Sequence, residues 1–437
     1  MKIKFYGGQE EVGRSCIMII SDQAKILLDA GIKVKEEENP YPTIPDAELK
    51  SLDGIFISHA HMDHCGYLPH IYSAGYDRKV FATQATMEIV NVMISDYMRL
   101  AEPKNVTKEG LKRLMRNYVV ADYMKAIKLK DLTIKFIPAG HILGSALISV
   151  SDGKHTLLYT GDINLASTRL MEGADTRTLK ADTLITESTY AGREDKFPPE
   201  NSTIKKMVDS IRDTILQNGT VIVPSFAVGR AQEVLLILDD YMNSGKIPKV
   251  PIYIDGMINK IMRIHRHNIL SCRKELQMKI LVSEYDPFKS SNYRPVDKKA
   301  MRMKVIRDGT PKIIVTTSGM LSGGPVLEYL THLSKNPLNK LIMVGYQAKG
   351  TLGSELQGGA KEVEIDDKKV TVKLKVETYH LSAHADRPQL LSLLTKVKGL
   401  RNVFVVHGEK VKSEQFREDI SKKYKATVPS IGSTHTL

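Results

Sequence analysis

The chain has only three cysteines in 437 residues, Cys16, Cys65 and Cys272. They are far apart and odd in number, which argues against a disulfide framework and fits an expected cytoplasmic setting. Long apolar runs are missing too. Nowhere do 18 apolar residues follow one another, so no membrane-spanning helix is expected. The opening Met1-Lys2-Ile3-Lys4-Phe5 already reads as a strand, so no cleavable signal peptide is expected. Internal repeats and low-complexity linkers are absent. What is there is an ordinary globular composition, 42% hydrophobic and 26% charged, long enough for two domains of usual size.

Acidic residues are scarce in one stretch. Between Tyr241 and Lys312, 16 Lys and Arg stand against 6 Asp and Glu, an excess of +10 in a chain whose net charge is +13. Such a patch attracts a polyanion by counterion release.

The densest chemical signal is Ser58-His59-Ala60-His61-Met62-Asp63-His64, which follows the apolar strand Gly54-Ile55-Phe56-Ile57. His59 and His61 are two apart, so on extended backbone they point the same way. Asp63 and His64 then fall on an expected turn and can face a second point. One short segment can thus serve two neighbouring metals, with imidazole and carboxylate ligands suited to zinc. Cys65, next door, reads as packing.

The first half is strand-rich, with expected strands at 15–20, 24–28, 54–57, 79–82, 132–137, 146–150, 156–159 and 182–185, and helices at 85–100 and 108–118. Several of these strands end in a polar residue: Asp29 after Leu27-Leu28, His141 between a strand and a glycine turn, and Asp162 after Tyr159-Thr160-Gly161. Each is a weak signal alone. Beyond residue 185 strands alternate with helices, which predicts a parallel sheet and a second domain. There Ser318-Gly319 and Gly323-Gly324 let backbone N–H groups approach a phosphate closely, and Arg230 near a helix start can clamp a phosphate oxygen.

Taken in this order, His59 to His64, His141 and Asp162 resemble the signature of the metallo-β-lactamase fold. Glu187-Ser188-Thr189-Tyr190, Pro224 to Glu233, Thr317 to Pro325 and Gly345 to Ala348 resemble the β-CASP insertion of its nucleic-acid-processing branch. Leu381 to Asp386 and Val403 to Glu409 match that branch's later motifs. Within it, residues 7–16 and 64–69 look closer to the nuclease subunit of the cleavage and polyadenylation specificity factor than to RNase J. With the catalytic fold expected from residue 1, neither an N-terminal KH-type region nor a long C-terminal domain is expected, and the chain resembles the minimal, KH-less archaeal form.

The resemblance implies an α/β fold: an αββα sandwich with an inserted β-CASP domain, a parallel sheet flanked by helices. The implied domains are 1–187 and 376–437 for the sandwich and 188–375 for the insertion. It implies two Zn2+ per chain, the first held by His59, His61 and His141, the second by Asp63, His64 and His407, with Asp162 bridging and Asp29 supporting the shell. His384 is the implied proton donor, with Glu187 orienting it. The implied activity is endonucleolytic hydrolysis of single-stranded RNA, with 5′→3′ exonuclease action as a further alternative, and the implied assembly is a homodimer or a complex with related β-CASP nucleases. The competing readings are a small-molecule hydrolase on the same fold and an inactive scaffold subunit.

Overall fold

Ile17 and Ile19 point to one side of the strand Cys16–Ile20 while Cys16 and Met18 point to the other, and all four are buried. Strands covered on both faces need a layer on each side, and the first compact unit supplies it. This unit comprises Met1–Ser167, Met171–Lys196 and His384–Leu437 of a computed structural model that describes residues 1–33, 39–101, 103, 105–283, 285–348 and 350–437.

Its two seven-stranded sheets lie face to face. In spatial order the first contains Thr434–Thr436, Lys2–Gly7, Cys16–Ile20, Lys25–Leu28, Gly54–Phe56, Val80–Ala82 and Tyr118–Val120. The second contains Lys425–Thr427, Asn402–Val406, Thr183–Glu187, Thr156–Tyr159, Ala146–Ser151, Leu132–Pro138 and Ala126–Leu129. Phe5, Ile17, Leu28 and Phe56 of the first sheet share one core with Phe136, Ile148, Leu157 and Phe404 of the second. Phe56 and Phe136 meet across it with ring centroids 6.3 Å apart. Truncating either to alanine costs about 3–5 kcal/mol. On the outer face of the second sheet, Leu158, Leu184, Val403 and Val405 pack against Leu390, Leu393, Phe416 and Ile420 of the helices Arg387–Lys396 and Lys410–Ile420. This is the αββα sandwich.

Strand direction decides where the polar strand ends emerge. Lys25–Leu28 and Gly54–Phe56 run parallel. So do Thr156–Tyr159, Thr183–Glu187 and Asn402–Val406. The residues that follow these strands therefore come out on a common edge within each sheet.

Three local expectations change. Asp63 and His64 lie in a short helix, Met62–Cys65, rather than on a turn. The helix expected over 108–118 ends at Arg116, and Tyr118–Val120 forms an edge strand. The closing helix, expected over 413–424 from an amphipathic run, starts at Lys410 and ends at Ile420.

The second unit comprises Thr168–Leu170 and Phe197–Ala383. The sequence reading set the junctions at 187/188 and 375/376; the units divide at 196/197 and 383/384, which leaves His384 in the first. The six strands of the second unit's main sheet are all parallel, in the order Tyr293–Val296, Ile252–Asp255, Lys312–Thr316, Thr220–Pro224, Lys340–Met343, Lys375–Thr378, and a separate antiparallel pair is formed by Glu362–Ile365 and Lys368–Thr371. Helices such as Arg230–Asn243, Ile258–His267 and Pro325–Leu333 connect the strands of the main sheet, as parallel strands require. No helix among the described residues is long and apolar enough to cross a membrane.

Candidate metal centre

The backbone around the centre makes two very close approaches. Ala30 donates to the His64 carbonyl at 2.7 Å and Ile32 to that of Met62 at 3.0 Å. A Cβ on Gly31 would lie 1.7 Å from the Asp63 carbonyl oxygen, so only glycine lets the histidine segment dock there. Gly161 adopts φ +51°, and a Cβ there would strike the Ser58 side chain at 2.6 Å. Two site residues also take left-handed backbone, Asp29 at φ 57° and His407 at φ 51°. Both are held by backbone bonds, Asp29 N–H to the Phe56 carbonyl at 2.9 Å and His407 N–H to the Gly8 carbonyl at 2.6 Å. Asp and His are among the residues that tolerate this region.

These contacts gather the candidate ligands around Asp162. Its Oδ2 lies 3.4 Å from His59 Nε2 and 3.5 Å from His141 Nε2. Its Oδ1 lies 3.3 Å from His64 Nε2 and 3.6 Å from His407 Nε2. His141 Nε2 is 3.1 Å from His61 Nδ1, and His407 Nε2 is 3.6 Å from Asp63 Oδ2. Ligand atoms about 2.0–2.2 Å from a tetrahedral zinc stand about 3.3–3.5 Å apart, so this spacing is that of a shared ion. The Nε2 atoms of His59 and His64 and Oδ1 of Asp162 are buried and make no hydrogen bond. Orphaned buried polar atoms are costly unless something fills the space between them, and an N/O donor set fits a borderline divalent cation. The residues present therefore fit two ions.

Electrostatics agrees. Burial, reinforced by neighbouring histidines, holds His61 down at about 3, and burial also lowers His59 and His141. All three are neutral imidazoles with a lone pair to offer. For His64, burial opposes protonation, but the carboxylates of Asp162 and Asp29 outweigh it and raise its pKa. The Asp162 carboxyl is likewise penalised by burial yet held well below the usual range by His64 and His407.

A surrounding set of bonds fixes the ring orientations. The Ser58 N–H and hydroxyl both donate to Asp29, each at 2.6 Å. With its proton committed, Ser58 Oγ accepts from His59 Nδ1 at 3.0 Å, which leaves Nε2 as the basic nitrogen. His64 Nδ1 donates to Asp29 Oδ2 at 2.7 Å, and the Tyr159 hydroxyl donates to the same oxygen at 2.7 Å. Ser15 Oγ lies 2.9 Å from His407 Nδ1. Such partners set ring orientation and basicity in metal sites. Sequence reasoning assigned Ser15, Ser58 and Tyr159 no role, although each sits inside a motif it had singled out.

Glu187, fully buried, accepts from the Ile163 N–H at 2.7 Å and lies 3.1 Å from His384 Nδ1. Burial alone would depress His384, but Glu187 and Asp162 raise its pKa to about 9. Its side chain is 22% exposed, against 0–3% for His59, His64, His141 and His407. His384 is thus open enough to meet a bound molecule while those ligands are sealed.

The phosphate candidates lie in the second unit. Ser318, Gly319, Gly323 and Gly324 share the loop after the strand Lys312–Thr316, where Ser318 Oγ accepts from the Ser322 N–H at 3.0 Å. Gly319 is packed against the Phe226 backbone, whereas Gly323 faces open space. Arg230 was expected at a helix start, where it is found, but it is buried, with its charge acting on Glu200.

Three family descriptions match in succession: the beta-lactamase superfamily domain over residues 24–217, the Beta-Casp domain over 231–356, and the Zn-dependent metallo-hydrolase RNA specificity domain over 369–429. The chain is 36% identical to a transcription termination factor, FttA, of Methanothermobacter thermautotrophicus, a match spanning 96% of this chain and 69% of that protein. It is 37% identical to an RNase J-like protein of Methanocaldococcus jannaschii, spanning 97% of this chain and 96% of that protein. In structure it is similar to an Enterococcus faecalis protein of unknown function, with a TM-score of 0.61 and 14% identity over 100% of this chain and 99% of the other.

Proposed function

The chain belongs to the β-CASP nuclease family of metallo-β-lactamase-fold hydrolases, and we propose that it is a two-zinc ribonuclease that hydrolyses phosphodiester bonds of single-stranded RNA. One observation carries this reading. The two oxygens of Asp162 face two different histidine pairs, Oδ2 toward His59 and His141 and Oδ1 toward His64 and His407. His59, His61 and His141 would hold one ion, Asp63, His64 and His407 the other, and Asp162 both. Bound there, the ions would lower the pKa of a water and offset negative charge on the phosphoryl oxygens.

The protein's own groups do the remaining work. Asp29 and Ser58 hold the His64 and His59 rings. Glu187 accepts the Nδ1 proton of His384, so a proton is delivered to the departing 3′ oxygen from the other nitrogen, Nε2. Hydrolysis in this sense leaves a 5′-phosphate and a 3′-hydroxyl. In the second unit, the loop of Ser318, Gly319, Gly323 and Gly324 offers backbone N–H groups to RNA phosphates. Arg230, being buried, supports that role less directly. The match to an RNA specificity domain and the names of the relatives favour RNA over a small substrate. The complete set of candidate ligands speaks against an inactive scaffold.

Incubating the full chain with one RNA labelled at its 5′ end and, separately, at its 3′ end tests the reading. Labelled end fragments of intermediate length in both series mark endonuclease cuts, and labelled mononucleotide from the 5′ series marks 5′→3′ exonuclease action. RNA left whole by zinc-replete protein, or cut as fast with chelator as without, would overturn it.

A further inference from the structure

The second unit holds a cavity of about 310 Å3 that the metal centre does not use. It lies among the helix Ile258–His267, the turn Pro287–Lys289 and the edge strand Tyr293–Val296. Met262, Phe288 and Tyr293 contribute buried apolar surface to its lining. The Tyr293 hydroxyl is already committed to the Leu235 carbonyl at 2.8 Å, so Tyr293 offers the cavity ring surface rather than a donor.

The polar side of the lining is cationic. Arg263, Arg266 and Lys289 line the cavity, and no carboxylate among the described residues does. Arg266 is paired with Asp286 at 2.5 Å. Arg263 and Lys289 are exposed and make no ion pair among the described residues. Unneutralised cations at the rim of an apolar, aromatic hollow attract an anion and favour one that carries a flat ring. The volume is at the lower end of the usual range for small-ligand sites, about 300–1,000 Å3.

We propose that this cavity binds a single nucleotide, with its phosphate against Arg263 and Lys289 and its base against Phe288 and Tyr293. The nucleotide is either a unit of an RNA strand or a free mononucleotide. The chemistry is the same for both, and neither depends on the metal centre.

Calorimetric titration of the full zinc-loaded chain with adenosine 5′-monophosphate, which has no phosphodiester bond to cleave, tests the site. One saturable site is expected, with adenosine and inorganic phosphate each binding more weakly. Arg263→Ala and Lys289→Ala should each weaken binding about tenfold, the scale of one charge-assisted hydrogen bond. Both side chains are exposed, so the fold should survive their loss. Competition by a short single-stranded RNA would assign the cavity to the RNA path, and simultaneous binding would assign it to a free nucleotide. No saturable binding, binding undiminished in both variants, or phosphate binding as tightly as the nucleotide would overturn the proposal.

Discussion

His384 Nδ1 and Glu187 Oε2 lie 3.1 Å apart, with Glu187 fully buried and His384 partly open. A buried carboxylate that also accepts the Ile163 N–H cannot swing away, so the imidazole is held in one orientation. That arrangement supports the proposal that His384 is an oriented proton donor rather than a sealed metal ligand.

If so, His384→Ala should retain its zinc and its RNA binding yet cleave about 10²–10⁴-fold more slowly, the usual range for a general acid. The deficit should shrink for an RNA analogue whose scissile 3′ oxygen is replaced by sulfur, a leaving group that needs no proton. Zinc content and the two cleavage rates decide the matter. Lost zinc, or an equal penalty on both substrates, would make His384 a prop for the ligands instead.

Asp29 presents the converse case. It touches no substrate-facing group, but its Oδ2 takes hydrogen bonds from His64 Nδ1, the Ser58 hydroxyl and the Tyr159 hydroxyl. Asp29→Asn would place an amide where one acceptor serves three donors. Removing such a partner typically lowers metal affinity about 10–100-fold. Competition with a zinc chelator should show that loss, and cleavage should recover when zinc is raised. An unchanged affinity would remove Asp29 from the shell.

Metal analysis of protein prepared without chelator should give two zinc ions per chain. His407→Ala should give one, because His407 serves only the Oδ1 side of Asp162. His61→Ala should spare the second ion for the same reason, since His61 pairs with His141. Two ions retained in His407→Ala would place the second ion elsewhere.

How much of this could be read from the sequence follows from where information is concentrated. The histidine segment and the polar strand ends stand out because His and Asp at the close of an apolar run have few structural reasons to be there. Ser15, Ser58 and Tyr159 could not be read, because a serine or tyrosine acquires its role only from what the fold sets opposite it. The helix Met62–Cys65 is one turn long, too short to show a period. Tyr118 was absorbed into the preceding helix and Val119 and Val120 were given no element, since three partly exposed residues at a sheet edge give little alternation. Arg230 was expected to clamp a phosphate oxygen from its place at a helix start, and one sequence does not show which parts of a helix the fold covers. Residues 230 to 239 are in fact all buried, so charge there is held inside.

The second unit also carries a buried titrating group. His265 is fully buried, its Nδ1 donates to the Ile261 carbonyl at 2.9 Å, and its Nε2 has no hydrogen-bond partner. Burial pushes its pKa down to about 4, with the bond to Ile261 resisting only in part. In the unfolded chain the imidazole returns to about 6.5. Between those values the unfolded state holds a proton that the folded state refuses, so stability falls as pH drops from about 6.5 to about 4 and levels off below. The loss is on the order of 3 kcal/mol, at 1.36 kcal/mol for each unit of difference. Other groups titrate in the same window, so the comparison must be with a variant. His265→Gln keeps a side chain of similar length that does not titrate there. Denaturant midpoints followed from pH 7 to pH 4 should fall less steeply in His265→Gln than in the parent. Parallel pH profiles for the two would show that His265 gains its proton in the folded state without cost.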